Sequence, residues 1–355
     1  MAGISQHFSP HALTADASLQ RVVIATLRGV PPDIAGRPAS EVCSRDALAR
    51  LVLESGLLPA AEPDRLGDQL GELRSSRDPV TRDVAGRVLH TYGVRLGALL
   101  ATLLHPGTPA EQGSTPGRLA YLEYWRGIRR VWLGGGLLTG GCAADIIEGP
   151  EQLFALTGTV VELRLAPSPT VLALVGAARM ADAVDGRAVV ADAGHTSIKT
   201  AVAVIRDGAL AALEALPARS APHAGDPRAA ERALAAALVR AVGALGTDRG
   251  RHRRIVVSVA SYLHGDAPVD DGRSIYGGIT PQRIRHLLAA STGDDLSVEF
   301  VHDGSAGAFG TADRSVSAVV TVGTWLGIGF TPATRALLPG EPVVRESSAT
   351  PAPPA

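Results

Sequence analysis

Apolar and polar positions along the chain switch between a helical and a strand-like period. Residues 45–58 (RDALARLVLESGLL) and 79–104 place apolar side chains at i, i+3 and i+4, the spacing that lines one helix face. The stretch 106–117, rich in Pro, Gly and Thr, reads as a loop. The run 130–138 (RVWLGGGLL) is a short apolar segment entering a glycine cluster, which predicts a buried strand ending in a tight loop. A helix is predicted over 151–156, a strand over 160–165, a small-residue helix over 169–180 and a turn at 182–187. Residues 1–38 carry no firm period.

Beyond this turn the period shortens. Apolar strands at 188–192 and 200–206 flank a polar Gly/Thr turn, and Asp207-Gly208 marks a second turn before a strand at 210–216. That is a β-meander. An alanine-rich helix over 227–245 follows, then a buried strand at 255–260, a helix at 281–290 and a strand at 298–301. A hairpin begins at 317–322 and turns at 323–327, and the Ser/Thr/Pro/Ala composition of 346–355 predicts a disordered tail. Helices alternate with strands throughout, so the fold class is α/β, and 355 residues suffice for two domains with separate cores.

Composition narrows the function classes. A formal net charge of −1, with no basic stripe interleaved with aromatics, argues against nucleic acid and anionic membrane as partners. The longest apolar run, near 96–104, is roughly half of what a bilayer crossing needs, and the N-terminus lacks a secretory pattern. Cys43 and Cys142 stand far apart with no CxxC partner, so neither a disulfide framework nor a zinc site is argued, and a cytoplasmic location is expected. The chain has no asparagine, and Lys199 is the one lysine among 34 basic residues. Where arginine serves every generic positive charge, a surviving lysine marks either chance or a site that wants a compact ammonium.

The sharpest local signal surrounds that lysine. In VVADAGHTSIKTAV (189–202) two apolar strands bracket a turn holding Asp192, Gly194, His195, Thr196 and Lys199. Backbone N–H groups of such a turn can cradle an anion, and a carboxylate at the strand end can hold Mg²⁺ directly or through its waters. An ordinary hairpin turn would look the same; the lone lysine favours phosphate. Asp303 follows the apolar strand VEFV and precedes small residues, which suits either a carboxylate projecting into a site or a helix N-cap. Gly134, Gly135 and Gly136 read either as a backbone surface for adenine or as a loop.

These segments resemble the ROK sugar kinases, a branch of the actin/hexokinase superfamily. DAGHTSIK is similar to the family's first phosphate motif, Asp-x-Gly-Gly-Thr followed by lysine. FVHDGSAGAFG (300–310) resembles its Asn-Asp-x-x-Ala-Ala-x-Gly segment, and VVTVGTWLGIGF (319–330) its second phosphate motif, Leu-Gly-Thr-Gly-Ile-Gly. Three motifs in order, over 188–330, are more specific than any one. RVWLGGGLLTGG resembles the adenosine motif and LAPSPTVLALVGAARMAD the closing helix, yet both precede the first phosphate motif here. SEVCSRDALARLV (40–52) resembles the helix that follows the sugar-recognition segment. The order is a rotation of the family's, a circular permutation.

The resemblance implies two ribonuclease-H-like domains with an interdomain cleft that binds ATP. One would comprise 1–166 with 305–345, the other 167–304. Asp303 would be the general base. Gly194, His195, Thr196, Lys199, Gly323, Thr324 and Gly134–Gly136 would hold the nucleotide, with Mg²⁺ near Asp192. The acceptor would be a small-molecule sugar or cyclitol, and a homodimer is compatible with the family. The chain departs from the pattern at His302 (Asn in the family), His195 (Gly) and Ser261-Tyr262 (Pro-Gly), and it lacks the Glu-x-Gly-His and Cys/His zinc motifs. His302, Ser261 and Glu341 are assigned to the substrate, with Glu41 a second candidate carboxylate. The alternative is a non-catalytic sugar- or nucleotide-binding sensor of the same fold. Asp192, Lys199 and Asp303 together favour an enzyme, because a sensor needs no general base.

Overall fold

The structure is a computed structural model describing residues 8–10, 12–60, 62, 65–107, 115–181, 185–222, 226–246, 254–269, 274–311, 313, 315–331 and 341–346. The tail expected over 346–355 lies outside them except for Glu346. In chain order the elements are α1 (Ala39–Val42), α2 (Arg45–Glu54), α3 (Leu66–Arg74), α4 (Pro79–Leu104), α5 (Pro116–Arg126), β1 (Arg130–Gly134), α6 (Gly140–Thr157), β2 (Glu162–Leu165), α7 (Leu172–Arg179), β3 (Gly186–Ala193), β4 (Ser197–Arg206) and β5 (Ala209–Ala215). They continue with β6 (Arg219–Ser220), α8 (Pro227–Gly243), β7 (Arg254–Val259), β8 (Leu263–His264), β9 (Ala267–Pro268), α9 (Pro281–Thr292), β10 (Ser297–His302), α10 (Asp303–Gly310), β11 (Ser317–Val322), β12 (Leu326–Phe330) and β13 (Val343–Glu346). No helix of the described residues is long and apolar enough to cross a membrane.

Contacts divide the chain into two units, Met1–Val171 with Arg314–Ala333, and Leu172–Asp313 with Thr334–Ala355. The expected cuts after residues 166 and 304 fall earlier than these. The second differs because α10 packs on α7, and residues 343–346 pair with β5 of the second unit.

In the first unit a four-stranded sheet runs β12-β11-β1-β2, antiparallel at β11/β12 and parallel elsewhere. Val131 and Leu133 of β1 and Val320 and Val322 of β11 are fully buried, as central strands require. Helix α6 starts well before the 151–156 expected, and Pro150 lies inside it. Proline removes the N–H that the Ile146 carbonyl would bond. Helix α4 passes over that carbonyl at Gly93, where an added Cβ would stand 2.3 Å from Ile146 O. Glycine is required at this crossing.

In the second unit the sheet order is β10-β7-β3-β4-β5-β13. Strands β3, β4 and β5 form the antiparallel meander, while β7 is parallel to β3 and β10 to β7. One face packs against α8 and α9, through Val189, Ala191, Val257 and Phe300 against Leu234, Leu238, Ile284 and Leu288. Residues alternate across a strand, so Asp192 and Ser258 point to the opposite face.

Candidate active site

The C-terminal ends of β3, β7 and β10 come to one edge of the second unit's sheet. Asp192 lies one residue from the end of β3, with Lys199 of β4 and Ser258 of β7 as its register partners. Lys199 Nζ stands 3.7 Å from Asp192 Oδ2, and Ser258 Oγ donates to Asp192 Oδ1 at 3.3 Å. The turn beyond is tight: Gly194 N donates to Ser197 O at 3.0 Å, and a Cβ on Gly194 would stand 3.1 Å from that oxygen. The buried Tyr276 hydroxyl donates to Gly194 O at 2.9 Å and so clamps the turn from below. Ala221 N donates to Thr196 O at 3.0 Å on the turn's other side, and His195 lies between these two anchors.

Asp303 opens α10 where β10 ends, at the same end of the sheet as Asp192 and near enough to feel its charge. Helix α10 is fixed by α7: a Cβ on Gly176 would stand 1.6 Å from Ala306 O, and one on Gly310 2.3 Å from Leu172 O. Arg179 Nη1 donates to Phe309 O at 3.1 Å and also to Gly310 O, closing the helix's C-terminal end. At the other end the cap is His302, whose Nδ1 accepts from Ser305 N at 3.3 Å. Asp303 is therefore not the cap. Its Oδ1 accepts from Gly304 N at 2.7 Å. Burial pushes the Asp303 carboxyl up to about 6, and the Asp192 charge adds to the rise; the Gly304 N–H and the His195 imidazole pull it back.

The residues assigned to substrate fare differently. His302 is 8% exposed and stacks on Tyr262, with ring centroids 4.8 Å apart and planes 13° apart. Its Nδ1 is taken by Ser305, and its Nε2 stands 3.2 Å from Asp303 Oδ1. Both nitrogens thus have close neighbours within the protein. Ser261 Oγ donates to Tyr262 O at 3.1 Å. Glu341 is not brought to this edge. It precedes Val343, which pairs with Ala212; across β4 this level is that of Arg187, at the start of β3. Glu341 therefore stands at the sheet's opposite edge, where its charge acts on Arg179. Glu41 is exposed in the first unit, bound to Arg37. Tyr262, Ser258 and Tyr276 are the site residues that sequence reasoning did not assign.

The remaining nucleotide candidates lie in the first unit. Gly134 ends β1, opposite Thr321 of β11. Gly135 has φ +109°, donates its N–H to Pro169 O at 2.8 Å, and passes so close to β11 that a Cβ would stand 2.3 Å from Val322 O. Only glycine fits there. Gly136 is exposed and faces open space. Gly323, exposed, and Thr324, half-buried, lie in the turn between β11 and β12, and Arg45 Nη1 donates to Thr324 Oγ1 at 3.4 Å.

Among the described residues no group of three or more His, Cys, Asp or Glu could hold a metal ion. The donors near Asp192 are carboxylate oxygens, with the Asp303 carboxyl close enough to feel its charge. That set suits a hard cation held through one carboxylate and its own waters, as Mg²⁺ is, and not a metal caged by protein ligands.

No family model matches the chain, and no curated protein matches it. Among solved structures the chain is similar to an inorganic polyphosphate/ATP-glucomannokinase from Arthrobacter sp. strain KM, at 20% identity and a TM-score of 0.32. The likeness covers 44% of this chain and 62% of that one, so less than two thirds of the neighbour's length is spanned. A likeness this low fixes neither fold nor activity.

Proposed function

We propose that the chain transfers a phosphoryl group from ATP to a hydroxyl of a sugar or cyclitol, with Asp303 as general base. The observation that carries this reading is the meeting of Asp303, Asp192 and Lys199 at one edge of the sheet, with the Asp303 carboxyl raised to about 6. A base is most effective when its affinity for protons lies near the working pH. Ligands of open α/β sheets also bind outside the carboxyl ends of parallel strands, where this cluster lies.

The order of elements supports the same reading. In the second unit a meander followed by two parallel strands gives β5-β4-β3-β7-β10, the arrangement expected of a ribonuclease-H-like domain. In the first unit β1 and β2 precede the hairpin β11/β12 in sequence yet pair beside it, as a rotated motif order requires. Rotation is tolerated where a new connection is short, and only residues 180–185 separate α7 from β3.

In this reading the acceptor hydroxyl attacks the γ-phosphorus, the bond to the ADP oxygen breaks, and Asp303 takes the hydroxyl proton. Lys199 faces phosphate as a point charge. Backbone N–H groups of His195 and Thr196, in the turn after β3, hold phosphate oxygens. Asp192 would hold Mg²⁺, which when bound offsets charge developing on the phosphates. An ADP-release assay across hexoses, amino sugars and cyclitols tests the proposal. It predicts turnover on at least one acceptor; sugar binding without any ADP release would instead establish the sensor reading.

A further inference from the structure

His302 replaces an asparagine of the resembled motif, and its surroundings give it a specific task. Nδ1 accepts the Ser305 N–H at 3.3 Å, with Ser305 Oγ at 3.4 Å. A ring nitrogen that accepts carries no proton, so a neutral imidazole here bears its proton on Nε2. Nε2 stands 3.2 Å from Asp303 Oδ1, the same oxygen that accepts from Gly304 N at 2.7 Å. The ring cannot swing away, because Tyr262 stacks on one face and only 8% of the residue is exposed. Both close contacts therefore fall on Oδ1.

We propose that His302 is a positioning residue for Asp303: held as the Nε2–H tautomer by Tyr262 and the Ser305 N–H, it fixes Oδ1 and turns Oδ2 towards the acceptor hydroxyl. The part concerning the hydroxyl rests on the kinase reading; the tautomer and its partner do not. Burial keeps the ring neutral, lowering its affinity for protons to about pH 4, so it donates to the carboxylate without becoming a cation. The arrangement inverts the familiar one in which a carboxylate orients a histidine base. Here the imidazole orients a carboxylate base.

The test is a nitrogen–proton correlation spectrum of the whole chain, labelled at histidine, at neutral pH and without substrate. The His302→Asn spectrum assigns the His302 peaks; a nuclear Overhauser effect to Tyr262 does so if that variant is unstable. A protonated Nε2 and a bare Nδ1 are expected, with the Nε2–H resonance moving in Asp303→Ala. A ring protonated at Nδ1 or at both nitrogens overturns the proposal, as does an Nε2–H resonance indifferent to Asp303→Ala. On an acceptor that turns over, His302→Phe keeps the stack and loses the donor. Its kcat should fall about tenfold to a hundredfold with the KM for ATP unchanged, the size typical of a lost orienting partner. That loss should vanish in an Asp303→Asn background, and a loss undiminished there contradicts the proposal. If the wild-type chain phosphorylates nothing, the kinase reading fails while the spectrum still decides the role of His302.

Discussion

Asp303 and His302 are adjacent, yet burial displaces their proton affinities in opposite directions, up to about 6 for the acid and down to about 4 for the imidazole. The folded state binds the Asp303 proton more tightly than the unfolded state, so this group's contribution to stability falls as pH rises from about 4 to 6. For His302 the unfolded state binds the proton first, so stability is lost as pH falls from about 6.5 to 4. Each displacement amounts to roughly 3 kcal/mol, and the two oppose each other. Asp303→Asn removes one side of the balance. Thermal unfolding of this variant should lose stability more steeply on acidification than the wild type, and equal slopes would contradict the assignment. Lys199→Ala should weaken ATP binding in the presence of Mg²⁺ about tenfold or more, the size of a charge-assisted contact; calorimetric titration checks this, and unchanged affinity would make Lys199 an ordinary surface residue. The lone lysine and Asp192 were legible because composition and motif singled them out. Ser258 was not, since it sits inside the apolar run RIVVSV and its bond to Asp192 spans 66 residues. Tyr262 was visible only as a departure from Pro-Gly, and its stacking on His302 depends on register that the sequence does not display.

At the scale of elements, the site depends on how closely two short helices approach. Gly176 of α7 meets the Ala306 carbonyl of α10, and α10 carries Asp303 at its first position. Gly176→Ala should destabilise the chain by about 1–3 kcal/mol, the range for overpacking, because backbone must move to admit the methyl group. Gly136→Ala, whose Cβ would meet nothing within 4 Å, is the control expected to leave urea unfolding nearly unchanged. Equal midpoints for the two variants would refute this account of the helix pair. Long periodic elements were readable, α4 over its full 79–104 among them. Four helices, α4, α5, α8 and α9, begin with Asp or Thr followed by Pro, a start signal that fixes the first turn. For α5 the signal at Thr115-Pro116 lay inside a stretch read as loop, because its neighbours are Pro, Gly and Thr. Glycines at the start of α6 and Pro150 within it hid that helix until residue 151, and tertiary contact with α4 overrides their poor propensity. Short β13 has no pattern of its own and exists by pairing with β5.

At the scale of the whole molecule, the core around β3, β7, α8 and α9 lies wholly between Val189 and Phe300. A fragment spanning Leu172–Asp313 should therefore fold by itself and unfold cooperatively in urea, despite the loss of β13. A gradual, non-cooperative loss of ellipticity would show that this unit needs the rest of the chain. Period and turn residues made the strand–turn–strand around Asp192, the strand before Asp303 and the hairpin at 317–330 legible, and β3/β4, β10 and β11/β12 lie there. The acceptor was not legible, since the sugar-gripping motif of the resembled family is missing and Glu341 lies at the wrong edge of its sheet. The central claim is that Asp303 accepts a proton during phosphoryl transfer. The direct measurement compares ADP release by the full-length wild type and Asp303→Asn on the best acceptor, with ATP affinity measured for both. The account predicts unchanged ATP affinity and a loss of turnover of about 10²–10⁴-fold; turnover within about threefold of wild type would contradict it.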